Sequence, residues 1–133
     1  MSVDVVPVTL SPRVRALWAE PRVATLGVVR ADGTPHLTPV KSMLDERDPA
    51  ARLLVLTTPG TVKARAVRRS GRASIAEHTP DADWATLEGP AHVSEDPDDL
   101  RRARELYAAR FGVEDRWGTC VLVVRVERVL TGS

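Results

Sequence analysis

The strongest constraint on this chain is a pair of β-forming runs hinged on a tight turn. Arg22 to Arg30 is rich in Val and alternates in size, and Thr34 to Leu44 follows after Ala31-Asp32-Gly33. Glycine supplies the positive φ such a turn needs, and so short a link can join only antiparallel neighbours. Pro35 and Pro39 leave ladder positions of the second run without donors, which puts that strand at an edge, bulged, or both. The pattern recurs in Leu53 to Thr57, Arg72 to His78, Trp84 to Ser94 (a bulge expected at Gly89-Pro90) and Thr119 to Leu130.

Three helices separate these runs. Ser11-Pro12 opens the first with a serine N-cap and proline at N1, Val14, Leu17 and Trp18 share a face, and Glu20-Pro21 ends it. Thr61 to Ser70 is the second, stopped by Gly71. Asp96-Pro97-Asp98-Asp99 starts the third, which buries Leu100, Ala103, Tyr107 and Phe111 and ends at Gly112. About six strands with hairpin connections outnumber any βαβ units. The chain is therefore expected to be mainly β (α+β), a six-stranded antiparallel, partly open barrel with about three peripheral helices.

A length of 133 residues fits one domain, 1–133, and 43% hydrophobic with 28% charged residues is ordinary for a globular chain. No apolar run approaches the roughly 18 residues of a membrane span. Met1 to Leu10 carries Asp4 and Pro7 and lacks a basic start, so no signal peptide is expected. The single cysteine, Cys120, forms no intrachain disulfide, and the expected compartment is the cytoplasm. A net charge of +1 argues against a general nucleic-acid binder. Lys41 and Lys63 are the only lysines among many arginines, a usage associated with GC-rich, actinobacterial genomes.

Charge is distributed unevenly. From Pro49 to Ala76 there is no acidic residue, while Arg52, Lys63, Arg65, Arg68, Arg69 and Arg72 all fall there. Lys63 and Arg65 sit in the first turns of the second helix, where positive charge opposes the macrodipole. An anion at that N-terminus reverses the sign, accepting free backbone N–H groups and pairing with the side chains. Thr57, Thr58 and Thr61 add hydroxyls, and Gly60 lets the backbone approach closely. The competing reading is a solvated helix face paired to carboxylates elsewhere.

Other chemistry-bearing residues read structurally. His36, His78 and His92 fall in separate strands without metal-ligand spacing, so no metal site is expected. Cys120 reads as an inert core thiol. Glu88 is expected to pair with an arginine of the cationic segment, and Asp96 to Asp99 to serve as cap. Trp18, Trp84 and Trp117 read as core or interface, and Met43 and Leu44 as barrel interior or lip. Gly-x-Ser-x-Gly, P-loop and Gly-x-Gly-x-x-Gly patterns are absent from the sequence, and no residue stands out as a general acid.

Three segments together resemble the pyridoxamine-phosphate-oxidase-like split-barrel family. They are Asp32-Gly33-Thr34-Pro35-His36 with Pro39-Val40, then Thr57 to Ile75 (TTPGTVKARAVRRSGRASI), then Trp84 to Val93 (WATLEGPAHV). The resemblance implies a homodimer of six-stranded split barrels with cofactor sites in the grooves between subunits. It implies that Lys63 and Arg65 contact the cofactor phosphate. Thr57, Thr58, Thr61 and Val62 would line the phosphate turn, and the backbone of Pro39, Val40, Lys41 and Ser42 would run along the ring. Trp84 would pack near the ring or across the interface. The family's Lys-x-Arg-Asn-Leu reads Lys63-Ala64-Arg65-Ala66-Val67 here, so a side-chain amide is missing. The Arg- and His-containing tail that holds vitamin B6 substrates is also missing. Short, arginine-rich members of this kind resemble the branch that uses the deazaflavin coenzyme F-420. The resemblance therefore implies an F-420-dependent oxidoreductase of a small conjugated substrate. FMN is the alternative cofactor, and a non-catalytic flavin carrier or a binder of haem or a nucleotide the alternative function.

Overall fold

The computed structural model describes residues 8–47 and 50–132. Met1 to Pro7, on which the leader-peptide reading falls, and Pro49, where the acid-free stretch begins, lie outside the described residues. In chain order the elements are α1 (Pro12–Ala19), β1 (Ala24–Val29), β2 (Pro35–Val40), β3 (Ser42–Asp45), β4 (Arg52–Thr57) and α2 (Val62–Ser70). They continue with β5 (Arg72–His78), β6 (Trp84–Ser94), α3 (Pro97–Phe111), β7 (Cys120–Arg125) and β8 (Arg128–Gly132). All six expected β runs form. Two of them break once, at Lys41 and at Val126-Glu127, which gives eight strands.

Every pairing is antiparallel, in the order β2-β1-β5-β6-β7-β4-β3, with β8 added to β6. The two ends of that path, β2 and β3, are consecutive in sequence and parted only by Lys41. The sheet thus curls until its edges meet at one residue, with no ladder across the seam. Pro35 and Pro39 lie on β2, whose one partner is β1, so their missing donors are placed at the edge.

Curling has a cost that appears at Gly89. β6 pairs first with β8 and then with β7, and between the two ladders Gly89 and Pro90 face three residues, Arg125, Val126 and Glu127. The bulge expected at Gly89-Pro90 therefore falls on the opposite strand, where the extra residue is accommodated. Gly89 is instead the point of closest approach: an added Cβ would lie 2.0 Å from the Arg125 carbonyl oxygen. Glu88 beside it bonds Ser74 Oγ at 2.8 Å and Arg128 at 3.4 Å, not an arginine of the cationic segment.

Two apolar clusters explain why β4 and β7 carry unbroken hydrophobic runs rather than alternation. Leu53, Val55, Leu122 and Val124 point into the barrel with Leu26, Ile75, Leu87 and the apolar faces of α1 and α2. Leu54, Val121 and Val123 point outward under Ala103 of α3, with Leu100, Tyr107 and Phe111 packed alongside. Strands covered on both faces need apolar residues at every position. Met43 belongs to the outer cluster, not the barrel interior, while Leu44 packs against the inner one.

The caps are as the sequence dictates. Ser11 Oγ accepts from Val14 N at 3.2 Å and Asp96 Oδ1 from Asp98 N at 2.7 Å, while Gly71 and Gly112 end α2 and α3 at φ 70° and 72°.

The central polar contact joins α3 to β5. Arg110 grips Glu77 with Nη2 and Nη1 at 2.6 and 2.9 Å. Its remaining donors reach the carbonyls of Leu17, Glu20 and Ser42. Ser42 Oγ donates to Glu77 at 3.3 Å and accepts from Trp18 Nε1 at 2.9 Å, and Arg22 stands 3.8 Å from the same carboxylate. Burial pushes the Glu77 carboxyl up, against the opposing pull of Arg110 and Ser42. A second tie, Asp45, takes Arg52 at 2.9 Å and Arg102 at 3.2 Å. Burial would raise Asp45, but the hydrogen bonds from Arg52, Arg47 N and Arg102 outweigh it and hold the carboxyl below its ordinary value.

Three outcomes follow for unfolding experiments. Gly89→Ala should cost about 2–4 kcal/mol in denaturant unfolding, because the clash is with backbone; an unchanged midpoint would refute the close approach. Arg110→Met should cost about 3–5 kcal/mol by stranding a buried carboxylate, and adding Glu77→Gln should recover part of it. Since the folded Asp45 carboxyl is depressed, its contribution is present above its ordinary value of 3.8 and lost as pH falls through the lower folded value. The stability gap between wild type and Asp45→Asn, measured by unfolding at a series of pH values, should therefore narrow in acid.

Candidate functional site

The candidate site forms where the seam meets the start of α2. β4 delivers the chain to Thr57, and Thr58-Pro59-Gly60 turns it into the helix. Thr61 is the N-cap, accepting from Ala64 N at 3.3 Å through its hydroxyl and from Arg65 N at 3.1 Å through its carbonyl. The Thr58 carbonyl accepts from Thr61 N at 3.3 Å and from its hydroxyl at 3.0 Å. Thr57 Oγ1 lies 3.3 Å from Thr61 Oγ1, while Thr58 is exposed. Val62 and Lys63, at N1 and N2, keep N–H groups with no intrahelical acceptor.

A cleft of about 220 Å³ opens beside this terminus, lined by Pro39, Val40, Lys41, Val55, Leu56, Lys63, Tyr107 and Asp115. Four residues named from the sequence, Pro39, Val40, Lys41 and Lys63, thus come together from β2, the seam and α2. The cationic segment divides around them. Arg52 is spent on Asp45 and Asp99, at 2.9 and 3.2 Å, and Arg68 lies 3.9 Å from Glu95. Among the described residues, Lys63 and Arg65 have no carboxylate within 4 Å. A salt-bridged surface therefore accounts for Arg52 and Arg68, and among the described residues not for Lys63, Arg65, Arg69 or Arg72.

Other named residues lie elsewhere. Arg65 and Val62 line a neighbouring cleft of about 410 Å³ with Arg30, Ala31, Ala66 and Arg69. Ser42 is turned inward, fully buried, and serves Trp18 and Glu77. Trp84 sits at the far end of β6 with its ring against Gly132, and it does not line the Lys63 cleft in the single chain. His36 contacts Arg30, with 2.9 Å between Nδ1 and Nη2. Cys120 is buried, which pushes its thiol up and keeps it unreactive.

Sequence reasoning missed Tyr107 and Asp115 in this site. Tyr107 reads as one more residue of the buried face of α3, and nothing in a lone aspartate after Gly112 marks it. Asp115 Oδ2 accepts from Gly118 N at 2.9 Å, which folds the loop after α3 against the cleft. Lys41 Nζ donates to Tyr107 Oη at 3.3 Å and lies 5.6 and 5.3 Å from the Tyr107 and Phe111 ring centres.

The arrangement suits a ligand with an anionic end and a flat apolar body. The free N–H groups, the exposed Thr58 hydroxyl and Lys63 are the donors such an anion would meet, since the Thr61 hydroxyl is spent on the Thr58 carbonyl and Thr57 on Thr61. Pro39, Val40, Val55 and Leu56 offer an apolar wall to a ring. The cleft's volume of about 220 Å³ is below the roughly 300–1,000 Å³ of a pocket that encloses such a ligand. No described helix is long and apolar enough to cross a membrane.

This chain belongs to the pyridoxamine 5'-phosphate oxidase family, whose sequence profile matches residues 10–131. It is 37% identical over 122 residues to a Mycobacterium tuberculosis biliverdin reductase that depends on reduced coenzyme F-420, a match covering 91% of this chain and 87% of that protein. Among solved structures, HupZ of Group A Streptococcus superposes with a TM-score of 0.76 at 15% identity, covering 92% of this chain and 94% of HupZ. An F-420 reductase superposes at 0.67 and 19% identity, covering 87% and 94%. These structures share the split-barrel fold.

Proposed function

We propose that this protein is a reductase that uses coenzyme F-420 to reduce a small conjugated organic substrate, acting as a homodimer with its cofactor in the groove between subunits. The observation that carries the reading is Lys63, which among the described residues has no carboxylate within 4 Å, sits at the N-terminus of α2 and shares one cleft with the apolar wall of Pro39 and Val40 and with Asp115. Lys63 with the Thr57-Thr58-Thr61 turn and the Val62 and Lys63 N–H groups would hold the phosphate. The Pro39 to Lys41 backbone would lie along the ring. When bound, the deazaflavin supplies the hydride chemistry, and the protein orients it and keeps water away. The incomplete cleft of the single chain supports a second subunit as the other wall, where Trp84 or Arg65 of either chain could be used. The Mycobacterium tuberculosis relative favours F-420; FMN would offer the same walls a similar ring and phosphate.

Titrating the purified protein with F-420 and with FMN, following ring fluorescence, separates the cofactors. Saturable binding that is tighter for F-420 is expected, together with oxidation of the reduced form when a conjugated acceptor such as biliverdin is added. Binding without turnover on any acceptor would make the chain a carrier, and no binding of either would end the proposal. Lys63→Ala should weaken cofactor binding by about 1–3 kcal/mol, as for a charge-assisted contact. An unchanged dissociation constant would place the phosphate elsewhere.

A further inference from the structure

We propose that Tyr107 is the proton donor of this site and that Lys41 reloads it from solvent, an inference that rests on the reductase reading above. Three observations carry it. Tyr107 lines the same cleft as Lys63 and Pro39, although it belongs to α3 and to none of the elements that hold the anion. An ammonium group has donors only, so in the 3.3 Å contact between Lys41 Nζ and Tyr107 Oη the phenol oxygen must accept. The phenol hydrogen is then free of Lys41 and can be donated to a molecule in the cleft. Lys41 is itself exposed to water, held over the Tyr107 and Phe111 rings at 5.6 and 5.3 Å, and among the described residues has no carboxylate within 4 Å.

Reduction of a conjugated bond needs one hydride and one proton. When bound, the reduced deazaflavin would supply the hydride and its two electrons, forming the C–H bond at one end of the conjugated system. The electron pair of the broken π bond moves to the other end. There the Tyr107 O–H bond breaks, its proton bonds to the substrate, and its electrons remain on the phenol oxygen. Lys41 returns a proton to that oxygen along the existing hydrogen bond and recovers one from water. The charged groups facing the pair are Lys63 from α2, Asp115 from the loop after α3, and Arg110, whose guanidinium lies 5.1 Å from the Phe111 ring.

Tyr107 is the one tyrosine in the sequence, so the test can address it alone. Biosynthetic replacement by 3-fluorotyrosine, a stronger acid, should move the alkaline limb of the kcat profile to lower pH. The ¹⁹F resonance should shift when biliverdin is added to protein without cofactor. Tyr107→Phe keeps the ring that packs on Phe111 at 5.1 Å. It should lower kcat by about 10²-fold, the scale of general acid catalysis, and leave the F-420 dissociation constant within about twofold. Lys41→Met should lower kcat less and flatten its dependence on pH. An active wild type with unchanged kcat in Tyr107→Phe, or a fluorine resonance indifferent to biliverdin, overturns the assignment alone. A wild type that neither binds F-420 nor oxidises its reduced form overturns the reductase reading, and the assignment with it.

Discussion

The fork between Arg110 and Glu77 is the contact on which the arrangement of this molecule turns. Through five donors one side chain ties α3 to β5, to the last turn of α1 and to the start of β3. Each of those elements packs on a different part of the curled sheet, and their apolar contacts alone allow sliding. A charge fork with fixed geometry does not. Such a pair contributes little net stability against a well-packed apolar replacement, because both partners leave water. Its effect is on where things are. Ser42 is held from both sides, by its carbonyl and by its hydroxyl, and the residue before it is Lys41 at the seam.

That position links architecture to the site. A sheet with edges that meet without pairing leaves a line of backbone uncovered, a liability unless something occupies it. Here one stretch of the line is faced by the start of α2 and by α3, and the resulting recess combines free N–H groups, a lysine and apolar walls. The recess is a by-product of closing the barrel through a single residue.

Most of the fold was legible because its signals are local. Turn glycines, proline-marked edges, serine, threonine and aspartate caps, and the six apolar runs each depend on a few neighbouring residues. Lys63 and its threonines could be grouped from the sequence for the same reason, since they are close together along the chain. What could not be read were relations between distant segments. Glu77 stands in phase with Ala73 and Ile75 on the inward face of β5, and Arg110 in phase with Ala103 and Tyr107 on α3. Each is a charge where an apolar residue is expected, and that was the available sign of a buried pair. The bulge lies on the strand opposite Gly89-Pro90 because Gly89 is room for the Arg125 carbonyl rather than extra chain. The nearest excess of positive charge in sequence does not supply the partner of Glu88, which is Arg128, across the ladder. The part played by Tyr107 needed the position of Lys41, 66 residues away.

Lys41 takes part in no ladder, yet it is the one covalent bridge between the two edges of the sheet. The segments it joins are neighbours along the chain and the most remote members of the hydrogen-bonded path. The ladders and the covalent link at the seam are therefore separate connections, joined through the Arg110 network at Ser42. No ladder runs through Lys41, while the walls of the recess meet there and are held by the Arg110 bond to the Ser42 carbonyl and by the Lys41 contact with Tyr107. A substitution at Lys41 therefore bears on the recess directly, and on the packing of the barrel only through the buried Ser42 beside it.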